Sequence, residues 1–109
     1  MYRGTTPTLP IRIPGYDLTE AKLFLTFQDG RASKTMTVTT PDDFTVSYDS
    51  EAKATVGDVT LSQEQTLMLN AGSCTAQIRF VFPDGSAGAT VKRSITVSDV
   101  ILKDVISYE

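Results

Sequence analysis

Residues 74–82 read CTAQIRFVF and are followed at 83–86 by PDGS. Apolar and polar residues alternate in the first segment with the period of a β-strand, so one face carries Ala76, Ile78, Phe80 and Phe82. The second segment has the chemistry of a tight turn, because Pro fixes φ, Asp accepts a bond from the backbone ahead of it and Gly tolerates positive φ. We therefore predict that the chain reverses there and returns as a strand over residues 90–97, where β-branched residues are frequent.

The rest of the chain shows the same alternation, separated by turn residues. Alternating segments cover residues 8–13, 21–27, 33–39, 44–48 and 53–61. Residues 62–69 break the alternation, and Ser62 together with Gln65 fits a helix-capping box. This pattern predicts an all-β fold: an antiparallel β-sandwich of the immunoglobulin-like type, with about seven strands and one short helix near residues 62–69.

Length and charge limit the architecture and the partners. The chain has 109 residues, which is enough for one two-layer core, and we predict a single domain over residues 1–109. Within it, residues 1–7 form an extended arm rich in turn formers, and residues 99–109 form an apolar C-terminal segment. The net charge is −3 with no run of Lys or Arg, so neither nucleic acid nor a membrane is an expected partner. A single Cys and the lack of a signal-peptide pattern predict a protein made and kept in a reducing cytoplasm.

Residue types needed for catalysis are scarce. The chain contains no His, which is the commonest general base and metal ligand. Cys74 has no His to activate it, so we expect a buried structural thiol. The carboxylates at 42–43 and 49–51 lack the spaced oxygen ligands of a calcium loop and are predicted to be solvated turn residues. We therefore expect no enzyme activity, no cofactor and no metal.

Candidate partner-binding residues lie at the two ends of the chain and on two predicted strands. Tyr2 and Arg3 are residue types enriched at interfaces. They lie on an arm that we predict to be an edge or a docking segment, since Pro7 and Pro10 limit its incorporation into a sheet interior. The C-terminal segment has too much apolar surface to remain in water, so it packs on the domain or on a partner. Phe24 interrupts a regular alternation, while Arg79 and Arg93 either form ion pairs on a sheet face or contact a partner. The candidate set is Tyr2, Arg3, Phe24, Arg79, Val105, Ile106 and Tyr108.

Five segments spread over the chain carry a resemblance to a known family. They are Tyr2-Arg-Gly-Thr-Thr-Pro-Thr8, Leu61-Ser-Gln-Glu-Gln-Thr-Leu67 with Ala71-Gly72, Ala76-Gln-Ile-Arg79, Asp84-Gly85 with Ala87, and Leu102-Lys-Asp104 with Val105-Ile106. In these segments the chain resembles the N-terminal domain of siphophage baseplate upper proteins, found in phages and prophages of Gram-positive bacteria. The resemblance implies a non-catalytic β-sandwich that docks onto the tail or baseplate core. Its location would be the virion and, during assembly, the bacterial host cytoplasm. Its partners would be other tail or baseplate proteins, with a homo-oligomer as a further option.

In the full-length relatives of that family, a linker and an oligomerising, receptor-facing region follow this domain. The present chain ends at Glu109, so we expect a small tail accessory or assembly protein rather than a direct role in host adhesion. The alternative is a free-standing β-sandwich that binds carbohydrate or peptide. A carbohydrate binder usually presents a flat aromatic platform, and this chain has no Trp and only four Tyr, which favours docking.

Overall fold

The computed structural model describes residues 1–30, 34–90 and 92–108. Within these residues the chain forms eight β-strands and one helix. In chain order they are β1 (Thr8–Pro14), β2 (Lys22–Asp29), β3 (Thr35–Thr39), β4 (Val46–Asp49), β5 (Ala54–Thr60), α1 (Gln63–Leu67), β6 (Gly72–Val81), β7 (Ala87–Ala89) and β8 (Arg93–Val97). The strands pair antiparallel in both sheets, which confirms the predicted all-β class.

The strands form two sheets that enclose one core. The first sheet has the order β1-β5-β4, and the second has the order β3-β2-β6-β7, with β8 also paired to β6. α1 lies between β5 and β6 in the chain, so it connects the two sheets. The core draws side chains from both sheets, and burying each large one contributes about 1.5–3 kcal/mol. Fully buried side chains include Leu23, Phe27 and Val38 from the second sheet and Val59 from the first.

The predicted central hairpin is present, and β6 is its longer strand, with ten residues. One edge of β6 pairs with β2, and the other edge pairs with β7 and β8. The turn between β6 and β7 is closed by bonds from Phe82 N to Ser86 O at 2.8 Å and from Gly85 N to Phe82 O at 2.9 Å. The predicted alternation of β6 also holds, because its buried side chains include Ala76, Ile78 and Phe80.

The strand that returns from this turn changes register once. Phe80 lies opposite Gly88 in β7, whereas Ala76 lies opposite Arg93 in β8. Three residues of β6 separate these pairs, but four residues of the returning strand do, so the pairing shifts by one residue, as in a β-bulge. β8 covers the second part of the strand predicted over residues 90–97, and β7 precedes that range as an additional short strand, which raises the strand count to eight. Val91 lies outside the described residues.

Two glycines lie where another part of the chain approaches closely. A Cβ at Gly88 would stand 2.6 Å from Cζ of Phe80, whose ring centroid is 6.0 Å from that of Tyr16. A Cβ at Gly57 would stand 2.7 Å from the carbonyl oxygen of Thr45. The pairing of β5 is continuous through Gly57, so close approach rather than a bulge explains this glycine.

The helix begins with the predicted capping box. Ser62 Oγ accepts a bond from Gln65 N at 3.1 Å, and the Gln65 side chain accepts one from Ser62 N at 2.8 Å. Such a cap satisfies backbone donors that are otherwise unpaired and stabilises a helix by about 0.5–2 kcal/mol. α1 ends at Leu67, within the predicted range of 62–69.

Two predicted strands are shorter in the structure. β4 begins at Val46, and Phe44 is buried before the strand starts, so its packing does not depend on strand pairing. β3 begins at Thr35, while Ser33 of the predicted strand 33–39 lies outside the described residues.

Candidate functional site

The N-terminal arm, residues 1–7, lies against the end of β8. Tyr2 and Ser98 form a parallel β-bridge. The Met1 amino group donates to Thr96 O at 2.9 Å. Backbone bonds also run from Ser98 N to Met1 O at 2.7 Å and from Arg3 N to Ser98 O at 2.9 Å. The arm therefore pairs along the outer edge of β8, which agrees with the edge alternative of the prediction, while a docking role of the arm stays a prediction.

The side chain of Arg3 is engaged within the chain and is only 16% exposed. Its Nη2 donates to Leu67 O at 2.9 Å, and its Nη1 donates to Asp99 Oδ1 at 3.1 Å. Its Nε is buried and has no hydrogen-bond partner among the described residues. Hydrogen bonds from Lys103, from the Val100 backbone and from Arg3 hold the pKa of Asp99 below its usual value. Arg3 thus ties the arm to α1 and to the C-terminal segment, and its binding to a partner stays a prediction.

We use the name terminal patch for the exposed apolar residues of the arm, of the end of α1 and of the C-terminal segment. Gln63 of α1 holds that segment, since its Nε2 donates to Ile106 O at 3.0 Å and its Oε1 accepts from Ile106 N at 2.8 Å. Arg3 joins the arm to the same helix. The terminal patch consists of Tyr2, Met68, Ile101, Leu102, Val105, Ile106 and Tyr108. The structure therefore brings four predicted candidates to the surroundings of one helix.

Three members of the terminal patch were not in the predicted set: Met68, Ile101 and Leu102. Ile101 and Leu102 belong to the apolar segment 99–109, so the sequence carried a signal for them. Met68 follows directly after the last residue of α1, and its exposure depends on where the helix ends. Helix ends are the least certain feature of a sequence-based prediction.

Phe24 and Arg79 are direct cross-strand neighbours on the outer face of the second sheet. Phe24 is half-buried, and Nζ of Lys22 lies 5.4 Å from its ring centroid, in a cation–π contact. Arg79 is exposed and forms no ion pair with any residue that the structure describes. The face around them is polar, with a bond of 3.0 Å between the hydroxyls of Thr26 and Thr37. The predicted partner-binding residues therefore form two groups, one at the terminal patch and one on this face.

A cleft of about 520 Å³ opens between the two sheets on one side of the sandwich. It lies between β1 and the returning strand β7–β8, and we call it the edge cleft. Its apolar lining includes Leu9, Ile11, Leu25, Phe27, Ile78 and Ile95. Arg93 also lines it, is exposed and forms no ion pair within the described ranges. Sequence reasoning missed this cleft, because it depends on which strands become sheet edges.

β1, one border of the edge cleft, is a poor template for a further strand. Gly15 N bonds to Lys53 O at 2.8 Å, in line with the register of β1 and β5. Since bonded pairs alternate in an antiparallel ladder, the odd-numbered residues of β1 bond to β5 and the even-numbered ones direct their backbone outward. Two of the outward residues are Pro10 and Pro14, which have no N–H to donate. The sheet order places β1 at an edge of the first sheet, where such prolines are tolerated.

The other border, β7–β8, leaves its outer backbone groups available. Phe82 N bonds to Ser86 O, and hydrogen-bonded pairs alternate with non-bonded pairs along an antiparallel ladder. Ala87 and Ala89 are therefore in non-bonded pairs and direct their backbone N–H and C=O groups away from β6. In β8 the outward positions at and beyond Thr96 are taken by the arm. Ser94 lies before this point, and its outward backbone groups have no partner in the described part of the chain.

The reactive residue types have structural roles. Cys74 is fully buried, as predicted, and burial raises the pKa of its thiol. Asp43 Oδ2 accepts a bond from Thr39 N at 2.8 Å, and Asp49 Oδ1 accepts one from Glu51 N at 3.0 Å, so both carboxylates close turns. The described residues contain no group of three His, Cys, Asp or Glu side chains that could hold a metal ion.

Comparison with known proteins does not assign this chain to a family, so the fold alone defines the class of protein. Neither a scan against protein-family models nor a search of curated proteins finds a match for this chain. Over the described ranges, helices of the length and apolar character needed to cross a membrane are absent. The protein is an antiparallel β-sandwich with an exposed apolar patch at its joined termini and an apolar cleft at one edge.

Proposed function

We propose that this protein is a non-enzymatic structural component of a phage or prophage tail, a docking module that attaches to other tail or baseplate proteins through the terminal patch. It would be located in the virion and, during assembly, in the cytoplasm of the bacterial host. The proposal combines the sequence resemblance to baseplate upper proteins with the surface of the sandwich. Its partners are proteins, because the chain carries no basic cluster for nucleic acid.

The exposure of the terminal patch is the observation that supports docking most directly. Ile101 and Tyr108 have relative exposures of 103% and 106%, and Tyr2 has 58%. Scattered apolar residues are normal on protein surfaces, but seven exposed ones on three segments that hydrogen bonds hold together are more typical of an interaction site. Aromatic residues and Met are also enriched at protein interfaces.

The docking hypothesis is tested by co-purification with tail or baseplate proteins expressed from the same phage or prophage. The variant V105D/I106D places two charges in the terminal patch, where both side chains are already more than half exposed. We expect it to keep the melting temperature nearly unchanged and to lose co-purification. Y48D is the matched control, because Tyr48 is an exposed apolar residue of β4 outside the patch. Normal co-purification of V105D/I106D would contradict the hypothesis.

Deletion of the arm is not an equivalent test. Removing residues 1–6 eliminates the parallel bridge to Ser98 and both side-chain bonds of Arg3. It also leaves Thr66 Oγ1 without its bond to Thr5 O at 3.0 Å. We therefore expect this deletion to lower stability, so that a loss of partner binding would follow from unfolding. Single substitutions at Tyr2, whose side chain is exposed, separate the two effects.

The second candidate function is a free-standing binding module, and the edge cleft is the observation that favours it. Three aromatic residues line the cleft: Phe27 and Phe80 are only 1% and 8% exposed, and Tyr16, at 56%, is a single exposed ring and not a platform of several. An extended peptide fits such a site better than a carbohydrate, because a peptide can pair with a strand edge. Binding of extended peptides, or of glycans, to the purified protein with micromolar affinity, unchanged by V105D/I106D, would favour this alternative over docking.

A further inference from the structure

The edge cleft and the C-terminal segment are both apolar surfaces that the single chain leaves uncovered. The cleft is lined by core side chains of both sheets. The C-terminal segment exposes Leu102, Ile106 and Tyr108. In its own chain this segment runs to α1, where Gln63 bonds to the backbone of Ile106, and so it does not enter its own cleft.

The two borders of the cleft determine where an incoming strand can pair. The outward edge of β1 lacks N–H groups at Pro10 and Pro14. The outward edge of β7–β8 presents the backbone groups of Ala87, Ala89 and Ser94, because the arm covers this edge only from Thr96 onward. A strand added on the β7–β8 side extends the second sheet and directs every other side chain over the cleft.

The side chains of the C-terminal segment match this position in both polarity and charge. Leu102 and Ile106 have the same parity in an extended chain, and Asp104 lies between them. Arg93 lines the cleft on its β7–β8 side. Neither Arg93 nor Asp104 has an ion-pair partner among the residues that the structure describes. An antiparallel strand with Asp104 opposite Arg93 has Leu102 opposite Ile95, which is a lining residue of the cleft.

We propose that residues 102–108 of a second copy of this protein add as an antiparallel strand to the outer edge of β7–β8, beginning opposite Ile95 where the arm ends, and fill the edge cleft, with Asp104 paired to Arg93. The contact joins two different surfaces of the protein. The interface is therefore heterologous, and each copy can bind the next one in the same way. Successive copies form a ring if the rotation between them closes and a filament if it does not. The inference rests on the proposed function, since it assigns a second copy as the partner of the C-terminal part of the terminal patch. Tyr2 and Met68 remain exposed for other tail components.

Charge reversal in the full chain tests this contact. The probe is the purified protein alone, and the readout is the concentration dependence of its mass in sedimentation equilibrium. We expect the unmodified protein to self-associate, and we expect R93E and D104R each to weaken association more than about tenfold, because each leaves like charges opposed. An equimolar mixture of R93E and D104R should associate again, since each cleft then meets a tail of opposite charge. K34E introduces the same charge change at an exposed residue that does not line the cleft and should have no effect.

Cross-linking tests whether the C-terminal strand of one copy lies beside β8 of another in the proposed register. Ser94 lies opposite Lys103 when Asp104 lies opposite Arg93, so a mixture of S94C and K103C should form an intermolecular disulfide. The native Cys74 is buried and does not compete. A monomer at all concentrations would overturn the inference and leave the cleft to a different protein segment or to a small apolar molecule. Association that survives R93E would overturn it as well. R93E also separates this inference from the docking hypothesis, because Arg93 lies outside the terminal patch: R93E should lose self-association and keep co-purification with tail proteins.

Discussion

The contact between Gly88 and Phe80 permits a quantitative test of the packing at the edge of the second sheet. A Cβ at Gly88 would lie 2.6 Å from Cζ and 2.8 Å from Cε2 of Phe80. The ring cannot easily move away, because it packs between Tyr16 and Phe82, with centroids 6.0 and 5.9 Å distant. The backbone at Gly88 does not have a positive φ, so steric overlap is the expected cost of Gly88→Ala.

We expect Gly88→Ala to lower the free energy of unfolding by about 1–3 kcal/mol, the range for overpacking a core. In a Phe80→Leu background the overlapping ring atoms are absent. The same substitution should then be neutral or stabilise by about 0.4–1 kcal/mol, because alanine restricts the unfolded chain. The coupling between the two sites is the difference between these effects, roughly 1–4 kcal/mol.

Urea unfolding of the four proteins of this double-mutant cycle, followed by circular dichroism, measures the coupling. Phe82→Leu is the control background, since no atom of Phe82 is among the nearest to a Cβ at Gly88, and most of the cost of Gly88→Ala should remain there. Additive effects of Gly88→Ala and Phe80→Leu within about 0.5 kcal/mol would refute the packing argument.

Two further predictions concern the first sheet and the buried thiol. Gly57→Ala should lower the free energy of unfolding in urea by about 1–3 kcal/mol, because the added Cβ would lie 2.7 Å from the backbone carbonyl oxygen of Thr45. The control is Asp58→Ala at the exposed neighbouring residue, which should change this free energy by less than about 0.5 kcal/mol. Equal costs would show that the approach to Thr45 can relax. Because burial raises the pKa of Cys74, its thiol ionises at a lower pH in the unfolded chain than in the folded protein. The neutral thiol therefore contributes its full stabilisation below pH ~8.5, and this stabilisation is lost as the pH rises above that value. Cys74→Ala should reduce the fall in stability between neutral pH and pH ~10, and an unchanged fall would contradict the assigned pKa direction.

Strands and helix could be predicted because their signals are local. Side chains two positions apart share a face of a strand, so the burial of Ala76, Ile78 and Phe80 follows from adjacent sequence. The capping box depends on Ser62 and Gln65, which are three residues apart. The apolar character of the C-terminal segment was also visible in the sequence, but whether it packs on the domain or on a partner was left open, and the structure shows its apolar side chains exposed.

The features that escaped prediction depend on contacts between distant parts of the chain. The bridge of Tyr2 with Ser98 joins the two ends of the molecule, and nothing near Arg3 indicates that its partners are Leu67 O and Asp99. The register shift before β8 leaves the alternation around Ile95 intact, so only the pairing with β6 reveals it. The edge cleft follows from the order of strands in two sheets, which local patterns do not determine.

The parallel pairing of the arm with the end of β8 has a mechanical consequence. The chain runs from Met1 toward Arg3 in the same direction as from Thr96 toward Ser98. Tension that separates the two ends therefore slides these segments past each other and stretches their hydrogen bonds together, not one after another. The bond from Arg3 to Leu67 O transmits part of the same tension into α1. Stretching a single molecule from its ends should thus give one abrupt extension, and a gradual lengthening at low force would show that the arm peels away bond by bond.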